Sequence, residues 1–263
     1  HAAGGHVLFY RDLVRHLGPE QPVYGLQAQG VAGDVPLLKR VEDMATRYVG
    51  EIRQVQPHGP YMIIGYCMGG TVALEMAQQL HAAGEAVALL GLFETYNWKH
   101  MKDENFYETM KFFGQKAVFH WNNFKLLNSR EKRIFLNEKW AVAKRRSKVW
   151  YGMLLSRLGR QDEAEDDASL RPGQLWDTND LAALAYRARP YPGRITHFVP
   201  VKEYARHQGA LLGWEGLAEG GVDLHKMPVY PAGMLVEPFV EKTAAVLTAC
   251  IDEALAGQRI SVS

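Results

Sequence analysis

The residues from Gly65 to Gly70 constrain the fold of this chain more than any other stretch. Their sequence is Gly-Tyr-Cys-Met-Gly-Gly, with one glycine two positions before Cys67 and another two positions after it. An apolar run from Tyr61 to Ile64 leads into the motif, and apolar residues at helical spacing follow it. This order predicts a buried strand, a tight turn and a helix, and the glycines let strand and helix approach each other.

A cysteine between two such glycines is typical of a nucleophile elbow, the strand-turn-helix corner that presents a catalytic side chain. At the start of a helix, Cys67 would experience the helix dipole, which favours a thiolate. The backbone N–H of Met68 would point to the place where an oxyanion forms. The structural alternative is a glycine-bounded turn around a buried cysteine, because free cysteine is often a small core residue.

The composition of the chain limits its possible functions. With 263 residues, of which 47% are hydrophobic, it predicts one domain with an insertion, or two small domains. The net charge of +1 gives no reason to expect nucleic acid or a membrane surface as a partner, and no apolar run reaches the roughly 18 residues of a spanning helix. Two distant cysteines, Cys67 and Cys250, suggest no disulfide framework and fit a reducing cytoplasm. The histidines and acidic residues lack the spacing of a metal site.

Strand and helix patterns alternate on both sides of the motif. Strands are predicted at 22–26, 61–64, 86–93, 194–199 and 222–227, and helices at 7–17, 37–55, from the motif to Gly84, and 237–256. This alternation predicts a mostly parallel sheet with helices on both faces. Residues 98–187 show no convincing strand and are rich in aromatics, which predicts a helical lid over an apolar chamber. The hypothesis is a single α/β domain, with a core of 1–97 and 188–263 and a lid insertion of 98–187.

With these elements placed, the chain resembles the terminal thioesterase domains of nonribosomal peptide and polyketide synthases, which are α/β-hydrolases with a helical lid. The opening residues His1–Gly5 are similar to the family's H-x-x-G-G loop, Gly65–Gly70 matches its elbow, and Leu92–Tyr96 matches the strand end that carries the triad acid. Gly213-Trp214 and Met234–Pro238 match later landmarks. The resemblance covers nearly all of the chain outside the predicted lid.

The resemblance implies a role for several residues of the motifs. Cys67 takes the position of the nucleophile, where serine is commonest, and Glu94 takes that of the triad acid, where aspartate is usual. The backbone N–H groups of Met68 and of either Ala2 or Ala3 would form the oxyanion hole.

The family's catalytic histidine has no counterpart in register. Counting back from Met234 places Pro231 at its position, and residues 229–233 contain no histidine. The nearest candidate for a base is His225 on the preceding strand, although a surface or packing role is the simpler expectation for it. Glu94, with no histidine to orient, could be a hydrogen-bonding or structural residue or could act as the base itself.

The resemblance also implies how a substrate would arrive. No cofactor would be bound; an acyl or peptidyl carrier protein of an upstream synthase module would deliver the chain on its 4′-phosphopantetheine arm. A thiol ionises more readily than a hydroxyl, so Cys67 could act without the histidine, whereas attacking water would still need a base. The first hypothesis is therefore transfer of the chain to Cys67 and then to a small-molecule acceptor other than water, giving release, fusion or cyclisation. The alternatives are a slow hydrolytic thioesterase using His225 or Glu94 as base, and a non-catalytic carrier-binding domain.

Overall fold

A computed structural model describes residues 1–31, 35–97, 174–200, 213–214, 216–229 and 233–261, with single helical positions at 121, 124, 125, 129, 132, 133, 136 and 140. The chain divides into two compact units, one formed by His1–Thr109 with Leu170–Ser263 and the other by Met110–Ser169. In the second unit the rings of Trp121 and Phe124 stack, with centroids 6.2 Å apart. The extent of the lid, 98–187, stays a prediction, because most of those residues lie outside the described part.

The sheet of the first unit has four parallel strands within the described residues, in the order β1-β2-β3-β4. The strands are β1 Tyr61–Tyr66, β2 Val87–Phe93, β3 Ile195–Pro200 and β4 Val222–Met227. Their register places Tyr66 opposite Phe93, Phe93 opposite Phe198, and Phe198 opposite His225. The C-terminal ends of the strands therefore meet at one edge of the sheet, where ligands of open α/β sheets usually bind.

Helices cover both faces of this sheet, as the sequence predicts. One face carries α2 Val41–Val55, α3 Met68–Ala82 and α4 Gln174–Ala185, and the other carries α1 Arg11–Leu17, which follows a short 3₁₀ helix at Leu8–Tyr10, and α5 Val240–Ser261. Among the residues that the structure describes, no helix is long and apolar enough to cross a membrane. The prediction of a mostly parallel α/β sheet is confirmed.

The packing of β2 on both of its faces explains why its sequence is apolar without interruption. Leu90 and Leu92 face the core shared with α2, α3 and α4, whereas Leu89 and Phe93 face the core shared with α1 and α5. Successive side chains of a strand point to opposite faces, so a strand covered on both faces needs apolar residues at every position. Full burial of each such side chain contributes about 1.5–3 kcal/mol.

The predicted strand at residues 22–26 is wrong. These residues have no strand assignment, and the side chains of Val23 and Tyr24 are exposed, at 39% and 71%. Their β-branched and aromatic character suggested a strand, but propensity without burial on at least one face does not specify one. Helix α2 also begins later than predicted, at Val41, because the backbone of Arg40 is still extended.

His197 occupies the middle of β3 and is completely buried. The sequence offers either a surface or a packing role for this histidine, and its burial agrees with packing. Removal from water lowers the pKa of His197 from about 6.5 to about 3. The imidazole is therefore neutral in the folded protein throughout the physiological range of pH.

We expect the folded protein to lose stability as the pH falls below 6.5. The unfolded chain protonates His197 near pH 6.5 and the folded chain only near pH 3, so unfolding takes up a proton between these values. The contribution to the slope should approach about 1.4 kcal/mol per pH unit. Urea unfolding at pH 8, 6 and 4.5 measures it. His197→Phe should flatten the slope and the exposed control His58→Gln should not; an unchanged slope in His197→Phe would refute the assignment.

Candidate active site

Cys67 lies in the turn between β1 and α3, as the motif predicts. Its backbone has φ 54° and ψ −124°, a conformation that side-chain-bearing residues rarely adopt. The Cys67 N–H donates to the carbonyl of Phe93 at 2.8 Å, and the Gly70 N–H donates to the carbonyl of Cys67 at 3.0 Å. A strained backbone that is held in place by its surroundings in this way is common at functional sites.

The glycines of the motif are required by close backbone contacts. A Cβ on Gly65 would overlap the carbonyl of Gly69, and a Cβ on Gly69 would overlap the carbonyl of His1. A Cβ on Gly70 would overlap the side chain of Thr95. The turn is thus enclosed by the opening loop on one side and by the segment after β2 on another.

The protonation state of Cys67 differs from the expectation. Burial raises the pKa of its thiol to about 11; the N–H of Met68 lowers it, and the negative charges of Glu94 and Asp180 raise it further. The prediction that the helix N-terminus would favour the thiolate is wrong, because desolvation of the charged form outweighs the favourable dipole. Cys67 is therefore a neutral thiol at pH 7 and has to lose its proton when it attacks.

Glu94 directly follows β2 and lies at the same sheet edge as Cys67. Its side chain is buried, with 4% exposure. Like Cys67, it has a positive φ, here 43°, which residues other than glycine rarely adopt. Its N–H donates to the carbonyl of Phe198 at 3.0 Å, and its Oε2 accepts a hydrogen bond from the hydroxyl of Tyr66 at 3.2 Å. Its charge acts on both Cys67 and Tyr66, whose pKa values it raises. The structure thus brings the proposed acid to the proposed nucleophile.

The opening loop, His1–Gly5, is held by its own carbonyl groups. The carbonyl of Ala2 accepts from the N–H of Gly5 at 2.8 Å, and that of Ala3 accepts from Nδ2 of Asn179 at 2.8 Å. In a trans peptide the N–H points away from the carbonyl of the preceding residue, so the bond to Ala2 also fixes the direction of the Ala3 N–H. Because these hydrogen bonds fix the loop, its geometry supports the backbone N–H of Ala2 or Ala3 as an oxyanion donor together with that of Met68.

Asn179 is a site residue that the sequence did not reveal, because it lies within the segment assigned to the lid. It is 1% exposed, on α4, which packs in the same unit as the sheet. A buried amide whose donor holds a loop carbonyl is a positioning group, since losing it frees the loop and leaves a buried acceptor unpaired.

We expect Asn179→Ala to slow turnover of an acyl thioester by about 10-fold, less than the 10²–10³-fold loss of an entire oxyanion donor. Stability should fall by about 1–3 kcal/mol, because the carbonyl of Ala3 stays buried without its partner. Steady-state thioester assays and urea unfolding measure the two effects, with the neighbouring Thr178→Ala as the matched control. A loss of stability with unchanged turnover would show that Asn179 has no positioning role.

His225 does not lie beside Cys67 in the structure. It is opposite Phe198 on β4, three strand spacings or roughly 14 Å from Tyr66 across the sheet. Its ring stacks on Phe198, with centroids 5.1 Å apart, and its Nε2 lies 3.5 Å from Sγ of Cys250. The geometry does not support His225 as the base, because its imidazole is turned toward α5. Pro231 lies outside the described residues.

The first part of the chain matches a known protein family. Residues 1–114 match the family model described as thioesterase domain. The match covers less than half of the chain and shows that this part is similar to thioesterase domains. The family match therefore covers the opening loop, the elbow at Cys67 and the strand end at Glu94, and it confirms the resemblance seen in the sequence.

The chain is also similar to parts of two curated peptide synthetases. Malpibaldin synthetase from Mortierella alpina is 50% identical over 86 residues, which are 33% of this chain and 2% of that protein. The dimodular nonribosomal peptide synthase from Bacillus subtilis (strain 168) is 44% identical over 96 residues, 36% of this chain and 4% of that protein. The chain thus spans only a small fraction of the length of these relatives.

Solved structures confirm the α/β-hydrolase fold of thioesterase domains. The NocB thioesterase domain, in covalent complex with a fluorophosphonate nocardicin G analog, aligns with a TM-score of 0.63 at 23% identity, covering 97% of this chain and 91% of that one. The four-domain nonribosomal peptide synthetase AB3403, bound to AMP and glycine, aligns with a TM-score of 0.65 at 21% identity, covering 94% of this chain and 18% of that one. At this identity the likeness shows the fold alone.

Proposed function

We propose that this chain is a chain-releasing domain of a modular nonribosomal peptide or polyketide synthase, in which Cys67 carries the acyl chain. The observation that carries the proposal is Cys67 itself, a partly buried thiol in a positive-φ turn at the start of α3. The opening loop lies against the same helical turn at Gly69, where an oxyanion hole would form. The synthase names of the relatives support the assignment to this kind of assembly.

The first chemical step is exchange between a thiol and a thioester. The substrate is an acyl or peptidyl chain on the 4′-phosphopantetheine arm of a carrier protein. Sγ of Cys67 bonds to the carbonyl carbon, the carbon–sulfur bond to the arm breaks, and the arm leaves as a thiol with the proton that Cys67 gave up. Backbone N–H groups of Met68 and of Ala2 or Ala3 stabilise the intermediate oxyanion. The product is again a thioester and stays activated for a second transfer.

The second step passes the chain to a nucleophile other than water. An amine, a hydroxyl, a thiol or a carbanion are the possible acceptors, and an acceptor within the chain itself would give a cyclic product. Water would have to be deprotonated as it attacks, and a well-placed general base contributes about 10²–10⁴-fold to such a step. Among the described residues, His225 lies roughly three strand spacings from the strand that leads to Cys67, so this histidine gives hydrolysis no such help.

Slow hydrolysis is the second candidate function, and Glu94 is the observation that favours it. The carboxylate of Glu94 is buried beside Cys67 and could deprotonate water. A buried carboxylate already bonded to Tyr66 is a poor acceptor, however, because that hydrogen bond stabilises its charge. The third possibility, a non-catalytic carrier-binding domain, leaves the strained turn at Cys67 without a purpose.

The lid belongs to the proposal as well. We assign residues 98–187 to a lid over an apolar chamber, in which a long, mostly apolar chain would be shielded from water. The acyl or peptidyl carrier protein and the upstream modules would be the macromolecular partners, and a small molecule would be the acceptor.

Product analysis separates the three functions. The chain is incubated with an acyl-pantetheine thioester and, in turn, with an amine, an alcohol and a thiol as acceptors, and liquid chromatography with mass spectrometry quantifies acylated acceptor and free acid. We expect at least one acceptor to be acylated faster than free acid forms. Free acid as the main product with every acceptor would favour hydrolysis, and no acyl-enzyme with no product would favour the non-catalytic domain.

A further inference from the structure

Tyr48 is a buried tyrosine that joins helix α2 to the opening loop. It lies in the middle of α2 and is 3% exposed, within the core that α2 shares with α3. Its hydroxyl oxygen lies 2.6 Å from Nε2 of His1, and the two rings meet edge to face with their centroids 5.5 Å apart. Tyr48 is therefore hydrogen-bonded to the loop that lies beside Cys67.

Helix α2 holds Tyr48 in a fixed position relative to the elbow. Oγ1 of Thr46 donates to Oε1 of Gln79 at 3.0 Å, and Nε2 of Gln79 donates to the carbonyl of Glu42 at 3.1 Å. Both bonds join α2 to α3, the helix that begins next to Cys67. A side chain on α2 can therefore set the position of the loop relative to the nucleophile.

The ring of His1 connects Tyr48 to a backbone carbonyl. Its Nδ1 lies 2.9 Å from the carbonyl oxygen of Ala2. A carbonyl oxygen can only accept, so Nδ1 carries a proton, and in the neutral imidazole Nε2 is left as an acceptor. Burial raises the pKa of Tyr48 to about 12, so its phenol keeps its proton and donates it to the bond with Nε2. Tyr48 thus donates to His1, and His1 donates to Ala2.

The carbonyl of Ala2 belongs to the same peptide group as the N–H of Ala3. This carbonyl accepts two hydrogen bonds, one from Nδ1 of His1 and one from the N–H of Gly5 at 2.8 Å. Because the peptide group is planar and trans, these bonds fix the direction of the Ala3 N–H on its opposite side. They also polarise that N–H, because hydrogen bonds in a chain strengthen one another.

We propose that Tyr48 and His1 form a relay that orients and polarises the Ala3 N–H as an oxyanion donor for acylation of Cys67. A Cβ on Gly69 would overlap the carbonyl of His1, so this part of the loop lies against the first turn of α3. Tyr48 and His1 are positioning residues, because they act through a backbone carbonyl and not on the substrate. The inference rests on the proposed function and adds to it which N–H of the loop serves and what holds it.

The test removes the two bonds of the relay singly and together. Tyr48→Phe deletes only the hydroxyl, and His1→Ala deletes the ring. The bonds from Gly5 and Asn179 to the loop remain, so the donor is loosened and not lost. We expect each variant to lower the maximal rate of acylation by an acyl-pantetheine thioester about 10-fold, less than the 10²–10³-fold loss of an entire donor. The thioester concentration that gives half the maximal rate should change by less than about twofold, because the oxyanion forms only after attack.

The double variant distinguishes a relay from two separate contacts. Once either bond is lost, the other no longer connects α2 to the Ala2 carbonyl, so the two effects should not add. We expect Tyr48→Phe combined with His1→Ala to be about 10-fold slower, as each single variant is. A slowing of about 10²-fold, the product of the single effects, would overturn the inference, as would acylation within about twofold of normal in Tyr48→Phe.

Tyr61 provides the matched control. It is also 3% exposed in the same core, and its hydroxyl donates to the carbonyl of Gln56 at 2.9 Å, just beyond the C-terminal end of α2. Tyr61→Phe should lose as much stability in urea as Tyr48→Phe, while its acylation stays within about twofold of normal. Equal slowing of acylation in the two variants would show a general effect of core hydroxyls and would refute the relay.

The tautomer of His1 tests the relay without any turnover. Nitrogen-15 NMR of histidine-labelled protein distinguishes a proton on Nδ1 from a proton on Nε2. We expect the proton on Nδ1; a proton on Nε2 alone would overturn the inference, because Nδ1 could not then donate to Ala2. A chain with the Nδ1 tautomer that forms no acyl-Cys67 would instead contradict the proposed function, and with it the catalytic use of the relay.

Discussion

Replacement of Cys67 by alanine should abolish the acyl-enzyme, and replacement by serine should reduce turnover by about 10³-fold or more. The alanine variant has no nucleophile at the elbow. The serine variant retains one, but a hydroxyl holds its proton more tightly than a thiol and needs a strong, well-aligned base, whose help is worth about 10²–10⁴-fold. No histidine supplies that base at the position where the family places it. Acylation by a pantetheine thioester, measured by intact-protein mass spectrometry, gives both numbers.

The second cysteine provides the matched control. Cys250 lies on α5 beside His225, on the far side of the sheet from α3. Cys250→Ala should therefore form the acyl-enzyme at the normal rate. If Cys67→Ala is fully acylated and Cys250→Ala is not, the nucleophile is Cys250 on α5 and not Cys67 at the elbow.

A histidine introduced at the family's usual position should increase hydrolysis. By sequence register that position is Pro231, so Pro231→His would add a general base for the attack of water on acyl-Cys67. We expect hydrolysis to rise by about 10–10²-fold, below the full 10²–10⁴-fold, because loss of the proline also loosens the loop. Transfer to an acceptor should gain less, or fall as water competes. Release of free acid from isolated acyl-enzyme measures the effect.

His225→Ala is the control for that change. Its imidazole contacts Cys250 and Phe198, so its removal should leave both acylation and transfer unchanged. If His225→Ala destroys activity while Pro231→His does nothing, the base has moved to β4, and the chain is a rearranged Cys-His thioesterase.

The elbow could be predicted because its signal is local. Gly65 meets the backbone of Gly69 four positions away, and the apolar run before the motif and the helical pattern after it each extend over enough residues to be recognised. Glu94 was predicted through the family resemblance, and its place agrees with the tendency of parallel strands to bring their C-terminal ends to one edge.

The remaining features of the site depend on long-range packing that the sequence does not display. Asn179 belongs to a helix far along the chain, and no local pattern shows that its side chain meets the opening loop. The state of the Cys67 thiol was predicted from the helix dipole alone, whereas burial by the surrounding elements decides it. His225 was selected by its nearness in sequence to Pro231, but the register of β4 places it toward α5.

The central claim, that Cys67 carries the acyl chain, is tested most directly by locating the acyl group. The chain is mixed with a carrier protein bearing an acyl thioester, quenched in acid to preserve thioesters, digested and analysed by peptide mass spectrometry. We predict that the acyl mass appears on the peptide containing Cys67 and is removed by neutral hydroxylamine, as expected of a thioester. An acyl group found on another residue, or none on Cys67 while the substrate is consumed, would contradict the account.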